Sequence, residues 1–84
     1  MHSQELIEAI DAALAGDWRR AHGIAQQDGH DPMACWIHAV LHKIEGDAWN
    51  SRYWCARTGN QYEDWNDARA ELQAIRKRIE ERSQ

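Results

Sequence analysis

A chain of 84 residues has room for one domain, and a domain of that size buries only a little over ~60% of the surface its unfolded chain exposes. Its 14 acidic and 10 basic residues leave a formal charge of −4, which argues against the basic footprint of a general nucleic-acid binder. Two cysteines are too few for a disulfide framework, and with no phenylalanine the five tryptophans and two tyrosines carry all the aromatic packing.

The first helix is expected over Ser3 to Ala15, where Leu6, Ile7, Ile10, Ala13 and Leu14 recur at helical spacing. Glu5, Glu8 and Asp11 break up its apolar positions, unlike the core of a signal peptide. No uncharged apolar run approaches the ~18 residues of a membrane span, so no membrane partner is expected. A cytoplasmic location with reduced thiols follows as the expectation. Gly16 stops this helix and Asp17 caps the next, which runs from Trp18 to about Asp28 and ends at Gly29.

Asp31-Pro32 opens the third helix: the Asp side chain satisfies one free amide and proline removes another. Met33, Ile37, Val40, Leu41 and Ile44 form its main apolar face. Gly46-Asp47 repeats the stop and restart, and a fourth helix covers about Ala48 to Arg57 before Thr58-Gly59. The fifth begins between Asn60 and Asp64, with Asn60 and Glu63 as a capping-box variant or Asp64 as the cap. It reaches about Arg82 with Trp65, Ala68, Leu72, Ile75 and Ile79 as its seam, and Arg76–Glu80 and Lys77–Glu81 as pairs on its outer side. The basic residues around Arg76, Lys77, Arg78 and Arg82 suit the negative end of a helix dipole. The fold class is therefore all-α: a single domain of five helices over residues 1–84, two antiparallel hairpins and a C-terminal capping helix.

Residues 16–29 and 46–59 align without gaps at an offset of 30, sharing the opening Gly-Asp, a small residue at Ala21 and Ser51, and a final glycine. A Gly-Asp turn followed by an aromatic and a small residue resembles the TPR class of helix–turn–helix repeats, whose period is ~34 residues. That resemblance implies a right-handed stack of antiparallel helices with the fifth helix as its cap. Residues 36–59 also resemble a motif of uncharacterised bacterial and fungal proteins, H-R-I-E-G-D followed by N-A-x-Y-W-Y. The match is carried by His42, Ile44, Glu45, Gly46, Asp47, Asn50, Tyr53 and Trp54. Lys43, Ser51 and Cys55 depart from it. The resemblance implies a helical-repeat fold and no reaction.

On the third helix Cys35, His38, His42 and Glu45 share a second face, about 140° from the apolar one. These are zinc-ligand types, but ligands in a row on one straight helix point in parallel and cannot surround a tetrahedral ion. Helix packing is the expectation there, with no metal and no cofactor. The turn that follows is richer in polar groups than a turn requires: His38, His42, Glu45, Asp47 and Asn50, with Arg52 and Tyr53 nearby. They read either as a satisfied capping network or as a small-ligand or catalytic site built on a histidine and a carboxylate. No nucleophile–base pair, phosphate loop or catalytic signature accompanies them. His22 and His30 are expected as exposed helix and loop residues. Most tryptophans are expected between helices, with Trp49, next to a cap, as the candidate for a surface position. The leading functional expectation is a non-enzymatic interaction module, a monomer or homodimer, binding a protein or peptide through residues such as Trp49 and Tyr53.

Overall fold

A computed structural model describes residues 2–82. It contains helices α1 (Ser3–Leu14), α2 (Trp18–Ala25), α3 (Pro32–Ile44), α4 (Ala48–Cys55) and α5 (Ala68–Arg82), with a short 3-10 turn at Tyr62–Asp64. No strand occurs among the described residues, and no helix among them is long and apolar enough to cross a membrane.

The connections α1–α2 and α3–α4 are one device used twice. Gly16 and Gly46 adopt the left-handed conformation, with φ of 83° and 85°. The amides that follow reach back across the helix ends, from Asp17 to the Ala12 carbonyl at 2.8 Å and from Asp47 to the His42 carbonyl at 2.9 Å. Gly16 and Gly46 themselves donate to Ala13 and Lys43, each at 3.1 Å, completing two Schellman motifs. The Asp side chains then cap the next helices, accepting from the Arg20 and Asn50 amides at 3.2 Å in both cases. So tight a reversal lays α2 back along α1 and α4 back along α3, as two hairpins. Ala21 and Ser51, the paired small residues, are both fully buried, and the Ser51 hydroxyl donates to the Ala39 carbonyl at 2.7 Å. The repeat ends less symmetrically: Gly59 is left-handed at φ 81°, whereas Gly29 has no positive φ.

At the centre lies α3, in contact with each of the other four helices. Every residue from Ala34 to Leu41 is buried, Cys35 and His38 of the second face among them. Leu6 and Ile10 from α1, Ile37 and Leu41 from α3, and Leu72 and Ile75 from α5 form the centre of the core. The fifth helix packs on α1 and α3, and its backbone does not approach that of α4, where a continuing stack would have placed it against both helices of the second hairpin.

Four expectations are corrected. Helix α5 begins at Ala68 rather than between Asn60 and Asp64, because the Asp67 carboxylate accepts from the Arg69 and Ala70 amides while Asp64 turns back onto the Gln61 amide. Trp65 is therefore extended chain ahead of the helix and not part of its seam. Helices α2 and α4 stop at Ala25 and Cys55, short of Asp28 and Arg57. Asp28 accepts from the His30 amide and Thr58 donates to the Cys55 carbonyl, local bonds that compete with another helical turn. Ile44, expected on the apolar face, is 49% exposed because it is the last residue before the turn. Arg76 reaches Asp11 on α1 instead of Glu80 along its own helix.

Candidate functional site

The α3–α4 turn places its polar residues in one connected group. The Asp47 carboxylate caps α4 and accepts from the Asn50 side-chain amide at 2.6 Å, which holds its pKa below the usual carboxylate value. His42, in the last turn of α3, meets Glu45 Oε1 through Nδ1 at 2.6 Å, and Asp47 Oδ2 lies 4.0 Å from the same nitrogen. His38 sits one turn earlier, 6% exposed, with its ring stacked between those of His42 and Trp54 at centroid distances of 4.9 and 4.1 Å.

The residue that sequence spacing missed is His22. It is not a free surface side chain: its ring stacks on Trp18 at 4.6 Å, and its Nε2 lies 3.1 Å from His38 Nε2. The signal was present in its spacing, since His22 follows Trp18 by four residues and adjoins Ala21, the small residue buried against the neighbouring helices. Trp18 is itself tied to α3 by its indole N–H, which donates to the Leu41 carbonyl at 2.9 Å. One ring nitrogen from each of His22, His38 and His42 falls within 4.8 Å of the other two.

Two imidazoles facing each other through Nε2 hydrogen-bond only if one donates and the other accepts, which requires at least the accepting ring to be neutral. Burial is the main cause lowering the His38 pKa to about 4, assisted by His22 and His42. Burial lowers His22 too, aided by His42 and opposed by Glu45. Cys35, grouped with these histidines by spacing alone, belongs elsewhere: its thiol donates to the Gly29 carbonyl at 3.2 Å, and burial raises its pKa.

Trp49 and Tyr53 lie on the opposite side of α4 from buried Ser51 and Cys55. They are 73% and 49% exposed and stack on each other at 6.0 Å. Arg57, one turn on, lies 6.0 Å above the Tyr53 ring and 5.4 Å above that of Trp54. It has no carboxylate partner among the described residues, whereas Arg52 pairs with Glu63 at 3.0 Å. Two open hollows of about 360 and 330 Å³ mark the surface, one beside Arg52 and Tyr62 and one beside Glu8 and Arg20. Neither is lined by the turn cluster or by Trp49 and Tyr53.

Comparison of the chain with protein-family models, with curated proteins and with solved structures finds no match.

Proposed function

We propose that this protein is a small TPR-like interaction module that binds a protein or peptide through the outer face of α4. The observation that carries the reading is the Trp49–Tyr53 stack, two large rings exposed side by side on a helix that α5 leaves uncovered. Rings of this kind are favoured as contact anchors because they combine large apolar area with few rotatable bonds. Arg57 extends the stripe with a cation that has no carboxylate partner among the described residues, so the fitting occupant is an apolar segment flanked by Asp or Glu. The identical turns at Gly16-Asp17 and Gly46-Asp47 support the TPR-like description of the hairpins, and the two unpaired thiols suit a reducing compartment such as the cytoplasm. The net charge of −4 disfavours a second copy as that occupant.

A displayed random-peptide library selected on the wild-type protein tests this. Sequences combining aromatic or aliphatic residues with carboxylates should enrich, and their binding should fall at least tenfold on Trp49→Ala/Tyr53→Ala. Both side chains are exposed, so each substitution should change stability by no more than about 0.5 kcal/mol. Equal binding to the double variant would overturn the reading, and a dimer in sedimentation equilibrium dissociated by the same substitutions would replace it with self-association.

A further inference from the structure

We propose that His22, His38 and His42 form a three-imidazole site for a divalent first-row transition ion, with zinc as the reference case and Glu45 as the carboxylate that orients His42. The objection raised by spacing was that ligands on one straight helix point in parallel. His22 removes it by entering from α2, while His38 and His42 supply the i, i+4 pair that helical histidine sites use. In a tetrahedral zinc site with Zn–N bonds of ~2.0–2.1 Å, ligand nitrogens stand about 3.3 Å apart. His22 Nε2 and His38 Nε2 already lie 3.1 Å apart, so an ion between them requires the rings to part only slightly. The third ring nitrogen, from His42, lies within 4.8 Å of the other two.

Glu45 supplies an independent observation. Ligating histidines characteristically give their second ring N–H to a carboxylate, which fixes the tautomer and raises the basicity of the coordinating nitrogen. His42 has this arrangement, with Nδ1 on Glu45 Oε1 at 2.6 Å, so that Nε2 is its coordinating atom. Three neutral imidazoles with no thiolate select ions of intermediate softness, such as zinc, copper, nickel or cobalt, over calcium or magnesium. A fourth position would be left to water or an incoming ligand. The site shares no residue with the Trp49–Tyr53 stripe, so either inference can fail alone.

The test is a titration of EDTA-treated, dialysed protein with Zn²⁺ against a chromophoric chelator, paralleled by Co²⁺ absorption spectroscopy. One ion per chain should bind, with a visible Co²⁺ spectrum of the low-coordinate type and a rise in Tm that grows with Zn²⁺ concentration. His22→Gln should lower affinity at least tenfold. Glu45→Gln, at an exposed carboxylate that leaves the core intact, should lower it by ~10–100-fold. His30→Gln, in a loop outside the cluster, should leave affinity unchanged. Absence of saturable 1:1 binding, or binding that survives both His22→Gln and Glu45→Gln, would overturn the assignment. If His22→Gln fails to fold, as judged by circular dichroism, Glu45→Gln decides alone.

Discussion

A histidine buried among histidines makes folding sensitive to acid. His38 has a native pKa of about 4 against an ordinary value of 6.5, because burial disfavours its charged form and His22 and His42 would repel it. Glu45 and Asp47, the carboxylates of this turn, stand at His42 rather than at His38. Between pH 6.5 and 4 the unfolded chain binds a proton at this residue that the folded chain does not, so stability falls as pH falls through that window. The loss is on the order of 3 kcal/mol, and it is complete once both states are protonated below pH 4. His22 shifts in the same direction and adds to it. Asp47, held below its ordinary 3.8 by Asn50, acts only at still lower pH. Urea unfolding of metal-free protein in EDTA at pH 7 and pH 4.5 should expose this loss, and His38→Phe should remove most of the difference. A flat profile in the wild-type protein would show that His38 titrates normally. At this scale the sequence was informative about residue types and weak about partners. His38, His42 and Glu45 shared a helical face and were legible together, but His22 lay sixteen positions from His38 on another helix, beyond any local spacing rule.

Helices and turns were more legible, because each hairpin is specified by two adjacent residues with separate physical jobs. Glycine supplies the left-handed turn and aspartate caps the helix beyond it, so Gly16-Asp17 and Gly46-Asp47 were readable as boundaries, and both pairs adopt the same geometry. The boundary before α5 was misread for a related reason. Asn60, Asp64 and Asp67 are all capping types, and only the chain's path past Lys43 selects among them, since that ammonium binds the Tyr62 and Trp65 carbonyls at 3.0 Å each. Glycine substitutions should separate the roles of the turns and helices by sign. No atom outside the local chain lies within 4 Å of a Cβ built at Gly16, Gly46 or Gly23, so sterics between elements play no part. Gly16→Ala and Gly46→Ala force a side chain into a left-handed conformation and should each cost about 1–2 kcal/mol. Gly23→Ala, inside α2, should stabilise by about 0.5–1 kcal/mol through helix propensity. For a domain of this length each kcal/mol moves Tm by roughly 4–8 °C, so differential scanning calorimetry resolves the opposite signs. A destabilised Gly23→Ala would mean that α2 is not held as a regular helix.

The whole molecule is closed by one buried ion pair that joins three separate stretches of chain. Glu71, on α5, is 1% exposed yet fully engaged: Oε2 accepts from the Trp36 indole at 2.7 Å and Oε1 from the Lys43 ammonium at 2.9 Å. Through Lys43 the same pair holds residues 62 and 65, so α3, α5 and the segment between α4 and α5 converge on one ammonium. This network explains how α5 comes to rest on α1 and α3 and leaves the outer face of α4 open. Its trace in the sequence is an acidic residue inside an apolar stripe, since Glu71 lies in helical register with Ala68, Leu72 and Ile75. Spacing alone could not name Lys43, 28 positions away, as its partner. Removing one charge from a buried pair leaves the other without compensation, at a cost of about 3–5 kcal/mol. Because small domains are only about 5–15 kcal/mol stable, Glu71→Gln should lower the urea midpoint severely and loosen residues 61–67 first. Lys43→Met should be similarly damaging alone. Combined with Glu71→Gln it should recover part of the loss, because no isolated charge then remains, though the Tyr62 and Trp65 carbonyls still lack their donor. A double-mutant cycle by urea unfolding measures the coupling directly. If the two single losses simply add, the pair is not the tie that fixes α5, and its position must be credited to Leu72, Ile75 and Ile79 alone.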